Sequence, residues 1–248
     1  VKSLEITTVV GCAVDCAMCP QTKIKAAYQG ERVMTLDTFR RVIGKLPLDV
    51  QIDFSGYAEP FLNPSAGEMI ALACGMGFKV HCYSTLIGLT ERQVEATKGQ
   101  RIAFWKVHVP DTQHMVYNAE AWLKLHDRFL SIGIPASYMT MGEMEKPIKE
   151  HFDVLGIAVE QPTMLSRAGN LWDRPKHGEK VICSMDRWHQ NVVLPNGDVQ
   201  LCCMDYGLES KVGNLLAQPY DKIYAEAERL REAKSPDLCR SCEWGRSA

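Results

Sequence analysis

The sequence predicts an α/β protein, with a parallel sheet flanked by helices over its first two thirds and a small β-hairpin plus helix after it. Three observations carry this. Strand-like and helix-like runs alternate up to about residue 166, which is the signature of parallel strands joined by helical crossovers. Two short apolar runs then flank Asn196-Gly197, the turn chemistry of a hairpin. All of the ten cysteines except Cys74 and Cys82 fall into two groups, one near each end of the chain. Six strand runs are too few for an eight-stranded barrel, so the sheet is expected to be open or barrel-like.

The expected strands are Leu4–Val10, Val50–Ser55, Phe78–Ser84, Ile102–Val109, Pro135–Thr140 and Gly156–Glu160. They are rich in β-branched and aromatic residues and bounded by Gly, Pro or polar clusters. The expected helices are Leu36–Leu46, Gly67–Gly75, Glu91–Thr97, Ala119–Ser131 and Glu145–Phe152. Leu36, Phe39, Ile43 and Leu46 recur at helical steps. Thr35 and Thr90 stand where N-caps belong. After Ser166 the character changes. Residues 167–180 are rich in Gly, Pro and charge, Val192–Leu201 is the hairpin, and Tyr220–Ala233 is a charged helix before a Cys-rich end. The predicted organisation is a first domain over 1–166 and a smaller one over 167–248.

Hydrophobic residues make up 46% of the chain and charged residues 23%, ordinary for a globular protein, and the net charge of −2 favours neither a nucleic-acid nor a membrane-surface partner. No run approaches the roughly 20 apolar residues that span a bilayer. Val9-Val10-Gly11-Cys12 has the form of a lipoprotein cleavage site, but the residues before it are few and Glu5 interrupts them. A cytoplasmic location is expected.

Cys12, Cys16 and Cys19, spaced C-x3-C-x2-C just after the first strand, can wrap one corner of an iron–sulfur cube. Three ligands for four irons leave one iron open to a substrate or cofactor. Zinc would require a fourth ligand, and no His or further Cys lies in the segment. The segment Gly11–Pro20 resembles the signature of the radical S-adenosylmethionine superfamily. Met18 stands where relatives often carry an aromatic residue, and Ala13 where they often carry Asn; neither position is a cluster ligand.

That resemblance implies a partial (β/α)6 barrel, a [4Fe–4S] cluster, S-adenosylmethionine and a 5′-deoxyadenosyl radical that abstracts hydrogen from substrate. It also implies a reducing partner such as flavodoxin or ferredoxin. Ser55-Gly56-Tyr57-Ala58-Glu59-Pro60 resembles the family stretch that receives the cofactor's ammonium, with Glu59 the matching carboxylate and Met18, Tyr57 and Ala58 beside it. Ser84, ending the third strand, is expected at the cofactor's polar groups; a routine strand-end serine is the alternative. His108 is expected to point toward the adenosyl moiety; a structural strand histidine is the alternative. Ser166-Arg167-Ala168-Gly169 resembles a stretch found at this place in several radical enzymes with an auxiliary cluster; the Arg167 guanidinium can grip a carboxylate or orient a substrate hydroxyl there, and a solvated loop arginine is the alternative.

Cys183, a hairpin, Cys202, a helix and then Cys239-x2-Cys242 resemble the auxiliary-cluster domain called twitch, the shortened relative of SPASM. These four cysteines are the expected ligands of a second [4Fe–4S] cluster, and a four-cysteine zinc site is the rival. Cys203 competes with Cys202, and alternation along a strand sends their side chains to opposite faces. The overall pattern is similar to compact dehydrogenases of the superfamily, which implies oxidation of an alcohol carbon in a small polar substrate. Radical peptide-modifying enzymes share the architecture but usually carry an added peptide-binding domain before the barrel, for which there is little room ahead of the first strand here.

Overall fold

A computed structural model describes residues 2–184, 190–232 and 235–248. The first half-barrel is built from β1 (Ser3–Ile6), α1 (Gln21–Ala27), α2 (Leu36–Ile43), β2 (Gln51–Phe54), α3 (Ala66–Gly75), β3 (Val80–Ser84) and α4 (Glu91–Thr97). It continues through β4 (Ile102–His108), α5 (Ala119–Leu130), β5 (Ser137–Met139), α6 (Lys146–Leu155) and β6 (Val159–Glu160). The last third holds β7 (Val181–Cys183), β8 (Gln190–Val193), β9 (Asp198–Gln200), β10 (Lys211–Asn214), α7 (Tyr220–Glu232), α8 (Asp237–Arg240) and β11 (Gly245–Ser247).

Strands β1 to β6 pair in sequence order and in parallel, as the predicted partial barrel requires. The hairpin does more than expected. Its first strand, β8, adds in parallel to the open side of β1 (Ser3 opposite Gln190, Ile6 opposite Val193), so one sheet runs β10-β9-β8-β1-β2-β3-β4-β5-β6. Gly197 allows the turn: its φ is +83°, and a Cβ there would stand 2.6 Å from Leu216 Cγ. A separate two-stranded ladder joins β7 to β11. Thr35 and Thr90 cap as predicted, Thr90 in a reciprocal box with Gln93. The charged helix runs Tyr220–Glu232, and its predicted last residue, Ala233, lies outside the described residues.

Alternation sorts the strand residues. Leu4, Ile6, Ile52, Phe54, Val80, Cys82, Trp105 and Val107 are fully buried toward the helices. Phe39 packs on Phe54 with ring centroids 5.6 Å apart, and Trp105 meets Phe61 and Phe129 at 5.9 and 4.9 Å. The intervening residues Ser3, Glu5, Gln51, Asp53, Tyr83 and Lys106 face the concave side. Parallel strands covered on both faces normally read as apolar runs; polar alternates here mean that the concave face lines a polar chamber. No helix among the described residues is long and apolar enough to cross a membrane.

Candidate active site and cluster centres

The loop between β1 and α1 carries Cys12, Cys16 and Cys19. Gly11 (φ +95°) and Asp15 (φ +54°) turn it, and the Cys19 amide donates to the Cys16 carbonyl at 3.0 Å. All three cysteines line one chamber of about 240 Å³. Burial pushes the Cys12 thiol up, and it pushes Cys16 up to about 12, with Cys19 and Cys12 adding to it. A thiol raised in this way ionises readily only with a positive partner at hand, which holds for Cys12 and Cys16. The Glu59 amide approaches Cys12 Sγ at 3.5 Å, and Gln21 Nε2 donates to Cys19 Sγ at 3.1 Å and to the Tyr57 carbonyl at 2.6 Å. This donor set fits an iron–sulfur cluster held at three irons.

The structure brings the other expected residues to the same chamber: Met18, Tyr57, Ala58, Glu59, Ser84, His108 and Arg167 all line it. Two buried atoms of residues on its wall, His108 Nε2 and Gln21 Oε1, have no hydrogen-bond partner among the described residues. Such orphans suit a polar occupant. Burial lowers the His108 imidazole to about 4, so it faces the chamber neutral. Gly56, at φ +65°, lets the backbone pass against β1; a Cβ would lie 2.4 Å from Thr7 Oγ1.

Glu59 is more engaged than a free acceptor. Its Oε1 accepts from the Phe61 amide (3.0 Å) and Ser84 Oγ (2.8 Å), and its Oε2 from the Thr85 amide and hydroxyl (2.5 and 2.7 Å). Four donors match a carboxylate's roughly four lone-pair sites, so an incoming ammonium would have to displace one of them. Ser84 likewise spends its hydroxyl on Glu59 and on the Leu86 amide (2.8 Å). Tyr57 turns the other way: its hydroxyl lies 2.9 and 3.1 Å from the Cys202 and Asp205 carbonyls, tying the barrel to the last third of the chain.

Arg167 sits in a left-handed turn, with φ of +55°, +58° and +79° at Arg167, Ala168 and Gly169. It borders both the cysteine chamber and an adjoining cavity of about 380 Å³ lined by Ser3, Glu5, Gln51, Asp53, Gln190, Cys203 and Tyr206. Burial works against its charge, but Tyr206, Cys203, Cys19 and Glu5 more than compensate and raise its pKa. Glu243 holds the turn by accepting from the Ser166 and Ala168 amides, the latter at 3.2 Å. The lumen residues, Thr85, Tyr206 and Glu243 were not singled out from sequence. Polar alternation in Ser3-Leu4-Glu5-Ile6 and Gln51-Ile52-Asp53-Phe54 was the available signal for the first set.

In the last third, Cys183 ends β7, Cys239 lies on α8 and Cys242 follows it. The three interact closely enough that Cys242 and Cys183 add to the burial that pushes Cys239 up to about 12. Cys202 packs against the cluster of Ala168, Met204 and Cys242, whereas Cys203 lines the barrel cavity beside Glu5. Among the described residues, neither cysteine group has three ligand atoms within 4.8 Å of one another.

The comparisons agree. A family model for SPASM, an iron–sulfur cluster-binding domain, matches residues 183–243. No curated protein matches the sequence. Among solved structures, BtrN in complex with AdoMet and 2-DOIA is similar at TM-score 0.70 and 18% identity, over 98% of this chain and 92% of that one. SuiB of Streptococcus suis, bound to its precursor peptide SuiA, gives 0.67 and 13% over 97% and 69%. The enzyme anSMEcpe with bound AdoMet gives 0.60 and 10% over 98% and 83%. The chain thus has the partial-barrel fold of the radical S-adenosylmethionine enzymes and carries a SPASM-type iron–sulfur cluster-binding domain.

Proposed function

We propose that the chain is a radical S-adenosylmethionine enzyme that oxidises an alcohol carbon of a small polar substrate, as 2-deoxy-scyllo-inosamine dehydrogenase does. The observation that carries this reading is the polar lumen beside the cysteine chamber, where Glu5, Gln51, Asp53 and Gln190 offer hydrogen bonds suited to hydroxyl and amino groups. Likeness to BtrN supports the substrate class.

Cys12, Cys16 and Cys19 would hold one [4Fe–4S] cluster, and Cys183, Cys202, Cys239 and Cys242 a second. When bound, the first cluster with S-adenosylmethionine supplies a hydrogen-abstracting 5′-deoxyadenosyl radical, and the second supplies a sink for one electron. Oxidation of an alcohol carbon removes one hydrogen atom, one hydroxyl proton and one electron in all. The chain's own part is to orient and to exclude water. Arg167, fixed between the two cavities, can hold a substrate hydroxyl. The carboxylates of Glu5 and Asp53 line the wall to which the hydroxyl proton must pass. Burial raises Asp53, which lies 3.6 Å from His81 Nδ1 and accepts from Gln51 at 2.7 Å. His108 and Met18 wall the adenosyl side. Flavodoxin or ferredoxin would deliver the starting electron.

The test is to count 5′-deoxyadenosine and product together, anaerobically, with polyols, aminocyclitols, sugars and peptides. The expected result is one 5′-deoxyadenosine per oxidised alcohol, with Arg167→Ala losing product far more than it loses S-adenosylmethionine binding. A peptide crosslink or a redox-neutral rearrangement as the product would reject the dehydrogenase reading.

A further inference from the structure

Away from the chamber, on the outer layer of the barrel, three side chains from neighbouring helices converge. His126 and Asp127 come from α5 and His151 from α6. His126 Nδ1 lies 3.1 Å from His151 Nε2, and His151 Nε2 lies 3.8 Å from Asp127 Oδ1. Among the described residues this is the one trio of His, Cys, Asp or Glu ligand atoms lying within 4.8 Å of one another.

We propose that His126, Asp127 and His151 form a mononuclear site for a divalent cation of the zinc class, separate from both cysteine groups. Bonds of about 2.0–2.1 Å put the nitrogens of a tetrahedral ion about 3.3 Å apart, close to the separation present. The carboxylate closes the remaining gap by rotating, which its exposure (66%) permits. Imidazole and carboxylate donors suit zinc, cobalt, nickel and copper(II) rather than calcium or magnesium. Solvent completes the coordination, since His151 is only 26% exposed and Asp127 opens the site outward.

The ring that anchors the site is held ready. His126 is buried, stacked on Trp122 at 5.3 Å with ring planes 7° apart, and packed against Phe152 at 5.0 Å. Its other nitrogen, Nε2, lies 3.1 Å from the Tyr138 hydroxyl. Metal-binding histidines commonly donate from the second nitrogen to such a partner, which sets the tautomer and leaves the lone pair on the ligating nitrogen. Hydrogen bonding alone leaves Asp127 out: one N–H between His126 Nδ1 and His151 Nε2 serves that pair, and the carboxylate, 3.8 Å from His151 Nε2, lies beyond hydrogen-bond reach. An ion satisfies all three lone pairs at once. It would also fasten α5 to α6 directly behind β5, where Met139, next to Tyr138, lines the cysteine chamber.

The test uses cluster-loaded protein without a histidine tag, so that the cysteines are already occupied, titrated anaerobically with Co²⁺ and then with Zn²⁺. Expected are saturation at one Co²⁺ per chain, a spectrum of nitrogen and oxygen ligands without sulfur-to-cobalt charge transfer, and displacement by Zn²⁺. His151→Ala abolishes saturable binding. Tyr138→Phe weakens it by about 10- to 100-fold without removing a ligand. Iron content and circular dichroism, unchanged in both variants, separate loss of the site from loss of the fold. No saturable binding, binding that survives His151→Ala, or a sulfur-type spectrum overturns the proposal. The outcome is independent of which substrate the enzyme oxidises.

Discussion

Replacing Glu243 with Ala should loosen the turn that aims Arg167. Left-handed backbone at a residue other than glycine costs about 1–3 kcal/mol, and Arg167 and Ala168 both adopt it. Opposing this are two charge-assisted hydrogen bonds from the Ser166 and Ala168 amides to the Glu243 carboxylate. Each contributes about 1.5–3 kcal/mol, and the half-exposed setting of Glu243 favours the lower end. The two quantities are of the same size, so the turn stands only while the carboxylate holds it. The expected loss for Glu243→Ala is about 2–4 kcal/mol, a fall in Tm of about 4–16 °C for a chain of this length. Glu243→Gln, which keeps one acceptor oxygen, should lose about half as much. Burial alone would raise the Glu243 pKa, but the Ser166 and Ala168 contacts outweigh it and hold the group below the usual carboxylate range. A depressed folded pKa stabilises above the unfolded value and loses that contribution as pH falls through the folded one. The gap between parent and variant should therefore be full at neutral pH and close in acid. Urea titrations at neutral and acidic pH measure it, and the ratio of 5′-deoxyadenosine to product reports the aim of Arg167. A Tm within 1 °C of the parent, with a pH-independent gap, would refute the reasoning.

Reconstituted protein should bind about eight irons per chain, and replacing Cys12, Cys16 and Cys19 with Ala should leave about half; four irons with stoichiometric zinc would contradict this. Cys202→Ala should lose the auxiliary iron while Cys203→Ala keeps it, since Cys202 packs beside Cys242 and Cys203 lines the barrel cavity; equal losses would argue the reverse. His108, lowered to about 4 by burial, binds its proton more readily unfolded, so it should contribute a loss of stability as pH falls from about 6.5 toward 4. His108→Gln should flatten that slope by up to one proton, and an unchanged slope would count against a buried neutral ring. Gly56→Ala should cost at least about 2 kcal/mol, combining left-handed strain with the Thr7 clash; denaturant midpoints decide it.

Local chemistry made much of the architecture readable. Thr35 and Thr90 announced their helices because an N-cap acts on amides only two or three residues away. The cysteine spacing announced a shared chamber because the three residues lie in one loop. What escaped was non-local or short. Helix α1 buries only Gln21 and Ile24 and shows no apolar period; its hold is the Gln21 bond to the Tyr57 carbonyl, 36 residues away. Strands β7 and β11 have three residues each and find one another across some sixty positions. Glu243 could not be singled out, because its partners at Ser166 and Ala168 are brought close only by the fold. The polar lumen follows from alternation, a rule available in the sequence once the concave face is known to enclose a chamber; Cys202 and Cys203 lie beyond the end of β9, where the turn and not alternation parts them.

The pairing of β8 with β1 also bears on how the chain is made. Strand β1 leaves the ribosome before every other barrel strand, yet its outer neighbour begins at Gln190. Until then the parallel sheet can grow from β1 to β6, but one side of β1 presents unpaired amides and carbonyls, the kind of edge that recruits foreign strands. A contact spanning this much sequence is slow to form. The nascent chain therefore has its greatest exposure to aggregation after the barrel strands have emerged and before the hairpin arrives, and truncations ending near residue 166 should be far less soluble than the full chain.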